Sequence, residues 1–353
     1  MEIYQLGGSV HQVPFIKYVK SYHQVITIDN RPFNPGHNLS DKYINISILD
    51  QSLKDYFSKN NYKISSFGSD LAERIRLEII NKKKSTRYKL TSKIDSRKII
   101  MELSEKIDLP YLKNCSINDL EKKPIVIKPN ISSGSKGVSI ITKYNKKLLS
   151  EKIELAKRYS IDGRFQVEEC FEGDLTKYYA ESYSFADADP IFIWGKSLQR
   201  KGTLINDGSI QMGDSFDNSE ISRHLKNYIK ELTNKIGIKF VPLNIDFFIK
   251  KNKIVVIEST PRPGGNCLSL ILNIKSNNNY FFNLMKYYLD ETDDLKLPNF
   301  EKLFDNRFYF VTMKDKYKKN CLNVPQKSSL IKEFTNQNNI ALDYSGYKLF
   351  AMN

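Results

Sequence analysis

The sequence predicts a mixed protein of α/β or α+β class with two or three domains. Strand-like and helix-like segments alternate from the first residues onward, as expected when helices connect neighbouring strands. The chain has 353 residues, enough to bury more than one core. Its hydrophobic fraction of 40% and charged fraction of 27% lie in the globular range, so we expect an ordered protein.

Residues 1–88 are predicted to form a small α/β domain. Its βαβ opening consists of strand Glu2–Leu6, a Gly7-Gly8 turn, a helix from about Val13 to Ser21 and strand Gln24–Ile28. Further strands are expected at 44–48 and 63–67, and further helices at 53–59 and 70–81. The turn lacks the spacing G-x-G-x-x-G, so a dinucleotide site is not expected. Asp29, at the end of its strand, either caps the next turn or contacts a ribose.

The rest of the chain is divided at three predicted boundaries. They give domains at 89–165 and 166–292 and a C-terminal extension at 293–353. Helices are expected at 93–107, 153–159, 220–236 and 268–290. Strands are expected at 124–128, 138–142, 165–170, 177–185, 191–197, 198–201, 244–248, 254–258 and 308–313. Gly237 is a typical residue to close the long helix before it.

Two carboxylates, Asp246 and Glu258, lie on the neighbouring strands of a predicted hairpin whose turn is Lys-rich. Burying an ionised carboxylate is unfavourable unless a cation or hydrogen-bond donors replace the lost water. Two such groups at matching depth indicate a divalent metal site, and oxygen ligands suit Mg²⁺ with nucleotide phosphates. The alternative is an edge hairpin whose acids face solvent.

A Ser- and Gly-rich loop follows the apolar strand that ends at Lys128. A loop of this composition is flexible and presents backbone N–H groups, so it can close over a polyphosphate. It could equally be an ordinary hairpin loop, and it is not a Walker A sequence. Its residues are Ser132, Ser133, Gly134, Ser135, Lys136 and Gly137.

The strand at 165–170 runs into an acidic turn. Backbone groups at the exposed end of this strand could hydrogen-bond an adenine edge, and Asp174 could bind the ribose hydroxyls. The alternative is a surface strand with solvated acids.

In this order the motifs resemble the ATP-grasp superfamily of carboxylate-amine ligases, which includes biotin carboxylase, carbamoyl-phosphate synthetase and amino-acid ligases. The resemblance covers roughly Lys93 to Asp290. It implies an ATP-grasp fold preceded by a Rossmann-like pre-ATP-grasp domain at 1–88.

The resemblance also implies roles for individual residues. Lys93 and Lys128 would contact the ATP phosphates, and the loop 132–137 would be the mobile phosphate loop. The hinge at Glu168, Glu169 and Phe171 would hold adenine, mainly through the main chain. Asp246 and Glu258 would bind Mg²⁺.

Catalytic roles fall to Arg262, Lys128 and Arg200. Arg262 would steady the acyl phosphate or its carboxylate precursor. Arg200, with its neighbours Lys196 and Gln199, could face the acyl-transfer centre or be an ordinary surface residue. Thr260 stands where the family usually has Asn, so a second metal would be held less firmly.

The function implied is an ATP- and Mg²⁺-dependent ligase. It would activate a small carboxylate as its acyl phosphate and couple it to an amine of an amino acid or amino sugar, releasing ADP and phosphate. Pro261-Arg262-Pro263 suggests a purine-type carboxylase or formate-dependent transformylase instead. A non-catalytic basic protein that binds nucleotides or nucleic acid is the third alternative.

The net charge of +15 and pI near 9.3 raise the question of anionic partners. Lysines are spread along the chain, and no nucleic-acid-binding motif is present, so we expect a solvated basic surface without nucleic-acid or membrane partners. The four cysteines contain no CxxC pair and are expected to be reduced thiols. The absence of a signal-peptide pattern and of a long apolar run predicts a cytoplasmic location. A homodimer is possible, as in many members of the family.

Overall fold

The computed structural model describes most of the chain. The described residues are 1–58, 61–185, 188–199, 206–212, 219–296, 308–315, 328–335 and 344–352.

The N-terminal unit is built on a parallel four-stranded sheet of order β3-β2-β1-β4. Its strands are β1 Glu2–Leu6, β2 Gln24–Ile28, β3 Lys42–Ile44 and β4 Lys63–Ser65. Its helices are α1 Val13–Lys20, α2 Pro35–Leu39, α3 Gln51–Ser58 and α4 Asp70–Ile79. The Rossmann-like prediction agrees with this sheet. The strand predicted at 44–48 is wrong, because pairing with β2 uses residues 42–44 instead.

A three-stranded antiparallel sheet of order β6-β5-β7 follows in the chain. Its elements, with the helices that precede it, are α5 Thr86–Leu90, α6 Lys93–Lys106, a 3-10 helix Ile117–Glu121, β5 Ile125–Pro129, β6 Ser139–Ile141, α7 Lys146–Tyr159 and β7 Phe165–Glu169. Leu149 and Ala156 of α7 pack on the apolar face of β5.

The largest sheet has eight strands, all neighbours antiparallel, in the order β12-β11-β8-β9-β10-β13-β15-β14. The strands are β8 Tyr178–Phe185, β9 Ile191–Gln199, β10 Asn206–Met212, β11 Phe240–Lys250, β12 Lys253–Thr260, β13 Phe308–Asp315, β14 Ser328–Thr335 and β15 Tyr344–Met352. The helices are α8 Glu220–Ile236, α9 Leu268–Lys275, α10 Asn279–Tyr288 and a 3-10 helix Thr292–Asp294. Two strands were predicted at 191–197 and 198–201, whereas residues 191–199 form one continuous strand. Residues 200 and 201 lie outside the described residues.

The two faces of the eight-stranded sheet pack against different helices. Leu243, Ile245 and Phe247 pack with α8 and α6 in one core. Tyr179 and Tyr183 of β8 pack on the other face with α9 and α10. Because side chains alternate along a strand, Asp246 projects away from α8.

The single helix predicted at 268–290 is wrong. The structure has two helices there, separated at Asn277 and Asn278, whose φ angles are 49° and 66°. Asparagine tolerates this left-handed conformation, which ends a helix. None of the helices in the described part of the chain is both long and apolar enough to cross a bilayer. The domain boundaries after residues 88, 165 and 292 remain predictions.

Candidate functional site

A β-bulge places Asp246 and Glu258 opposite each other. Phe247 pairs with Val256, so an uninterrupted ladder would set Asp246 opposite Ile257. The register shifts between Asp246 and Phe247, and Glu258 becomes the partner of Asp246. Opposed residues of an antiparallel pair project from the same face, so the extra residue brings both carboxylates to the face away from α8.

Each of the two carboxylates has a lysine partner. Lys93, at the start of α6, forms an ion pair with Oε1 of Glu258. Nζ of Lys177, just before β8, lies 3.2 Å from Oδ2 of Asp246. The side chains of Asp246 and Glu258 are 18% and 24% exposed, so both retain access to solvent.

The environment separates the pKa values of the two acids. Burial alone would raise the pKa of Glu258, but the charge and hydrogen bond of Lys93 outweigh it and lower that pKa to about 2. Burial, reinforced by the negative charge of Glu258, raises the pKa of Asp246 against the opposing effect of Lys177. The repulsion between the two acids favours a bound cation.

Arg97 on α6 clamps the backbone at the bulge. Its Nη1 donates to the carbonyl of Val256 at 3.1 Å, and its Nη2 donates to the carbonyl of Ile257 at 2.8 Å. The same guanidinium donates to Oε2 of Glu168 at 2.7 Å and 3.1 Å. One buried side chain therefore connects the large sheet, α6 and the three-stranded sheet.

The carboxylate of Glu168 is shielded from solvent and is neutralised by two basic side chains. It is 1% exposed and forms ion pairs with Lys128 and Arg97. Burial would raise its pKa, but the charges of Lys128 and Arg97 lower it. The backbone N–H of Glu169 donates to the carbonyl of Lys113 at 3.1 Å. The carboxylate of Glu169 accepts from the N–H of Lys113 at 2.8 Å, so both acids of the predicted hinge are already bound by neighbouring groups.

The remaining hinge residues differ in burial. Phe171 is buried and stacks on Phe248 with ring centroids 4.5 Å apart. Asp174 is exposed, and its Oδ1 accepts from the N–H of Thr176 at 3.0 Å. Adenine binding near Phe171 and ribose binding by Asp174 remain predictions.

The loop 132–137 connects β5 to β6 beside Lys128. Residues 133–136 are exposed, and a Cβ on Gly137 would lie 2.9 Å from Pro129 and Tyr159. Asn130 ties the start of this region to α6: its carbonyl accepts from the N–H of Lys93 at 2.9 Å, and its Oδ1 accepts from the N–H of Ile94 at 3.0 Å. The loop, Lys128 and Lys93 therefore lie in one neighbourhood.

The segment after Glu258 is fixed by polar contacts. Thr260 is buried, and its Oγ1 donates to the carbonyl of Asn244 at 3.3 Å. Arg262 donates from Nε to Oδ1 of Asp70 at 2.8 Å and from Nη1 to the carbonyl of Pro263 at 2.7 Å. Arg262 is thus oriented by the first residue of α4. Arg200, the third predicted catalytic residue, lies outside the described residues.

Glu181 on β8 is a fully buried carboxylate that the sequence analysis missed. It accepts hydrogen bonds from Tyr280 Oη at 2.5 Å, the N–H of Gly264 at 2.9 Å and Asn244 Nδ2 at 3.1 Å. Burial raises the pKa of Glu181 to about 7. An acid inside the apolar run of β8 was the available signal.

Lys177 and Arg97 were also missed. Both are single basic residues in a chain with 55 lysines and arginines, so composition could not distinguish them. Their partners are distant in sequence: Arg97 and Ile257 are 160 positions apart.

The site can be compared with known proteins. Residues 121–270 match the model of the ATP-grasp domain. No curated protein sequence matches the chain. The N5-carboxyaminoimidazole synthetase from Staphylococcus aureus complexed with ADP is similar in structure, with a TM-score of 0.69, 13% identity and coverage of 100% of this chain and 93% of that chain.

Two other solved structures are similar at the same level. The L-amino acid ligase from Bacillus licheniformis has a TM-score of 0.67 and 14% identity, covering 99% of this chain and 93% of that chain. The biotin carboxylase domain dimer of the Hydrogenobacter thermophilus 2-oxoglutarate carboxylase, in complex with MgADP, ADP and bicarbonate, has a TM-score of 0.70 and 11% identity, covering 99% and 86%. The described chain therefore has the ATP-grasp fold, and its residues 121–270 match the ATP-grasp domain.

Proposed function

We propose that this protein is an ATP- and Mg²⁺-dependent ligase that activates a small carboxylate as its acyl phosphate and couples it to an amine. The observation that carries the proposal is the register of Asp246 with Glu258 on one sheet face, beside Lys93. The ATP-grasp fold supports it, since similar structures were determined with ADP.

The residues present fit a magnesium ion. Asp246 and Glu258 offer hard carboxylate oxygens and are partly exposed. Mg²⁺ commonly takes one or two carboxylates and completes its octahedron with water and substrate phosphates. Within the described ranges no group of three or more His, Cys, Asp and Glu side chains is arranged so that it could hold a metal ion.

The residues present also fit a nucleotide triphosphate. Lys93 and Lys128 would contact the phosphates, and the exposed N–H groups of residues 133–136 would cover them. Bound ATP with Mg²⁺ supplies a transferable phosphoryl group and the charge that neutralises it. The protein's own contribution is to orient the reactants and to exclude water from them.

Arg262 would bind the substrate carboxylate or its phosphorylated form. Its guanidinium is fixed by Asp70 from a second element, so it would present a preorganised positive charge. The amine then attacks the activated carbonyl carbon, the C–N bond forms, and phosphate leaves. No covalent enzyme nucleophile is needed for these steps.

A carboxylase or formate-dependent reaction is the second candidate. Pro261-Arg262-Pro263 favours it, together with the similarity to an N5-carboxyaminoimidazole synthetase. A cytoplasmic location and a homodimer belong to the same proposal; one similar structure is described as a dimer.

The test is a phosphate-release screen with ATP, Mg²⁺ and pairs of small carboxylates and amines. Turnover that requires both partners supports the ligase, and turnover with bicarbonate or formate supports the second candidate. If no pair leads to ADP formation and the protein shows salt-sensitive polynucleotide binding, both enzymatic candidates are wrong and a non-catalytic binding protein is supported.

A further inference from the structure

The side-chain ammonium group of Lys177 places a positive charge of the protein itself next to Asp246. The ammonium lies 3.2 Å from Oδ2 of Asp246 and 5.5 Å from the ring centroid of Tyr179. The backbone carbonyl of Lys177 accepts from the N–H of Ser197 at 2.8 Å, which fixes the start of the side chain to β9. The ammonium is therefore held between a carboxylate and an aromatic face.

Lys177 projects from the same sheet face as the acid pair. Tyr179 opposes Asp246 in the register of β8 and β11. Lys177 precedes Tyr179 by two positions and so shares its side of the strand. Its side chain is 15% exposed, and its charge is directed at the pair rather than at bulk solvent.

The described residues at the acid pair offer few oxygen ligands for two divalent ions. Thr260 offers one hydroxyl oxygen, whose hydrogen already goes to the carbonyl of Asn244 at 3.3 Å. Among the residues that the structure describes, the other candidate ligand oxygens are those of Asp246 and Glu258. Two carboxylates and one engaged hydroxyl satisfy a single magnesium ion with phosphate and water far more readily than two.

From these contacts we infer that the ammonium of Lys177 takes the place of a second divalent ion at the Asp246–Glu258 pair, so that nucleotide binds with a single metal ion. The inference rests on the proposed function, because it requires the pair to bind metal with ATP. A fixed ammonium supplies positive charge beside Asp246 without needing further oxygen ligands.

The test counts metal ions directly. Mn²⁺ is titrated into the protein with a non-hydrolysable ATP analogue, and free Mn²⁺ is followed by its electron paramagnetic resonance signal. The natural protein should bind about one Mn²⁺ per chain. Lys177→Met should bind about two, because Oδ2 of Asp246, which lies 3.2 Å from the Lys177 ammonium, becomes available to a second ion. Lys177→Arg keeps the charge and should remain at about one.

The matched control is Lys98→Met, which removes one positive charge from an exposed position of α6. It should behave as the natural protein does, and circular dichroism should show all variants folded. About two ions in the natural protein, with no change in K177M, would overturn the inference. Unchanged stoichiometry with weaker nucleotide binding would also overturn it, since Lys177 would then contact phosphate. No Mn²⁺ binding by any form, even with the analogue, would overturn the proposed function itself.

Discussion

Two clusters of charged and polar groups in this chain, the carboxylate hairpin and the Gly-Gly turn of the N-terminal unit, differ in what they leave available. At the turn, Oδ2 of Asp29 accepts from the N–H of Gly8 at 3.0 Å, and its Oδ1 accepts from the N–H of Arg31 at 3.0 Å. Asp29 therefore caps the turn, and its carboxylate is 6% exposed. A Cβ on Gly8 would lie 2.1 Å from Oδ1 of Asn34, which shows how tightly the turn is packed.

At the hairpin the same kinds of group remain accessible. Asp246 and Glu258 project from one face, retain partial exposure and are balanced by lysine side chains rather than by backbone N–H groups. The sequence predicts a metal site at the hairpin and leaves either a turn cap or a ribose contact open for Asp29. The difference teaches that a ligand site is recognised by the bonding capacity that its polar groups retain.

The largest effect is expected from Glu258→Gln, which tests whether the accessible acids of the hairpin belong to the active site. We expect turnover to fall by about 1000-fold, because the neutral amide cannot hold the metal or balance Lys93. ADP release with the substrate pair found in the screen measures it. Glu154→Gln on the exposed face of α7 is the control, with no expected change. Full activity of E258Q would remove the hairpin from the active site.

Arg97→Met tests whether the β-bulge depends on the hydrogen bonds that Arg97 donates to the carbonyls of Val256 and Ile257. We expect a loss of about 3 kcal/mol in the free energy of unfolding, because Glu168 loses a partner while remaining buried. Mn²⁺ affinity with the ATP analogue should fall by about 10-fold as Glu258 loses its alignment. Arg158→Met, an exposed change on α7, is the control. A folded R97M protein with natural Mn²⁺ affinity would contradict the clamp.

Glu181→Gln tests how the buried carboxyl group of Glu181 makes the free energy of unfolding depend on pH. The pKa of Glu181 is raised from 4.5 to about 7 in the folded protein. Its stabilising contribution is therefore present below about 4.5 and lost as pH rises through about 7, a change on the order of 3 kcal/mol. In urea unfolding between pH 5 and pH 8, the natural protein should lose this amount relative to E181Q. Parallel curves for the two proteins would refute the assignment.

Asp29→Asn should have the smallest effect. We expect about 1 kcal/mol of lost stability, because the amide keeps one acceptor for Gly8 but loses its charge next to Arg31. ATP turnover should stay within about 2-fold of the natural protein. A large loss of turnover with normal stability would instead make the Gly-Gly turn part of the active site.

Much of the fold followed from local patterns. Strand Gln24–Ile28 and helix Glu220–Ile236 have the predicted bounds, and Gly237 closes that helix with φ of 68°. Periodicity and caps are local, so one segment suffices to predict them. The strand at 44–48 and the helix at 268–290 failed because sheet pairing and a run of asparagines decided those segments instead.

The candidate site was only partly accessible to sequence reasoning. Asp246, Glu258, Lys93 and Lys128 stand out as charged residues next to apolar runs, although their roles remain predictions. Arg97, Lys177 and Glu181 matter through partners on distant elements, which no local pattern reports. The bulge is equally invisible, since it arises where β12 meets Arg97 and β11.

The single additional residue in β12 has a consequence for how this chain tolerates change. Exchanging Ile257 for another apolar side chain leaves the spacing of the backbone intact. Deleting it would straighten the ladder and leave Glu258 opposite Asp246. It would, however, remove the carbonyl that accepts from Nη2 of Arg97 at 2.8 Å, and with it one of the contacts that tie β12 to α6. At this point the number of residues, more than their identity, is what the protein has to preserve.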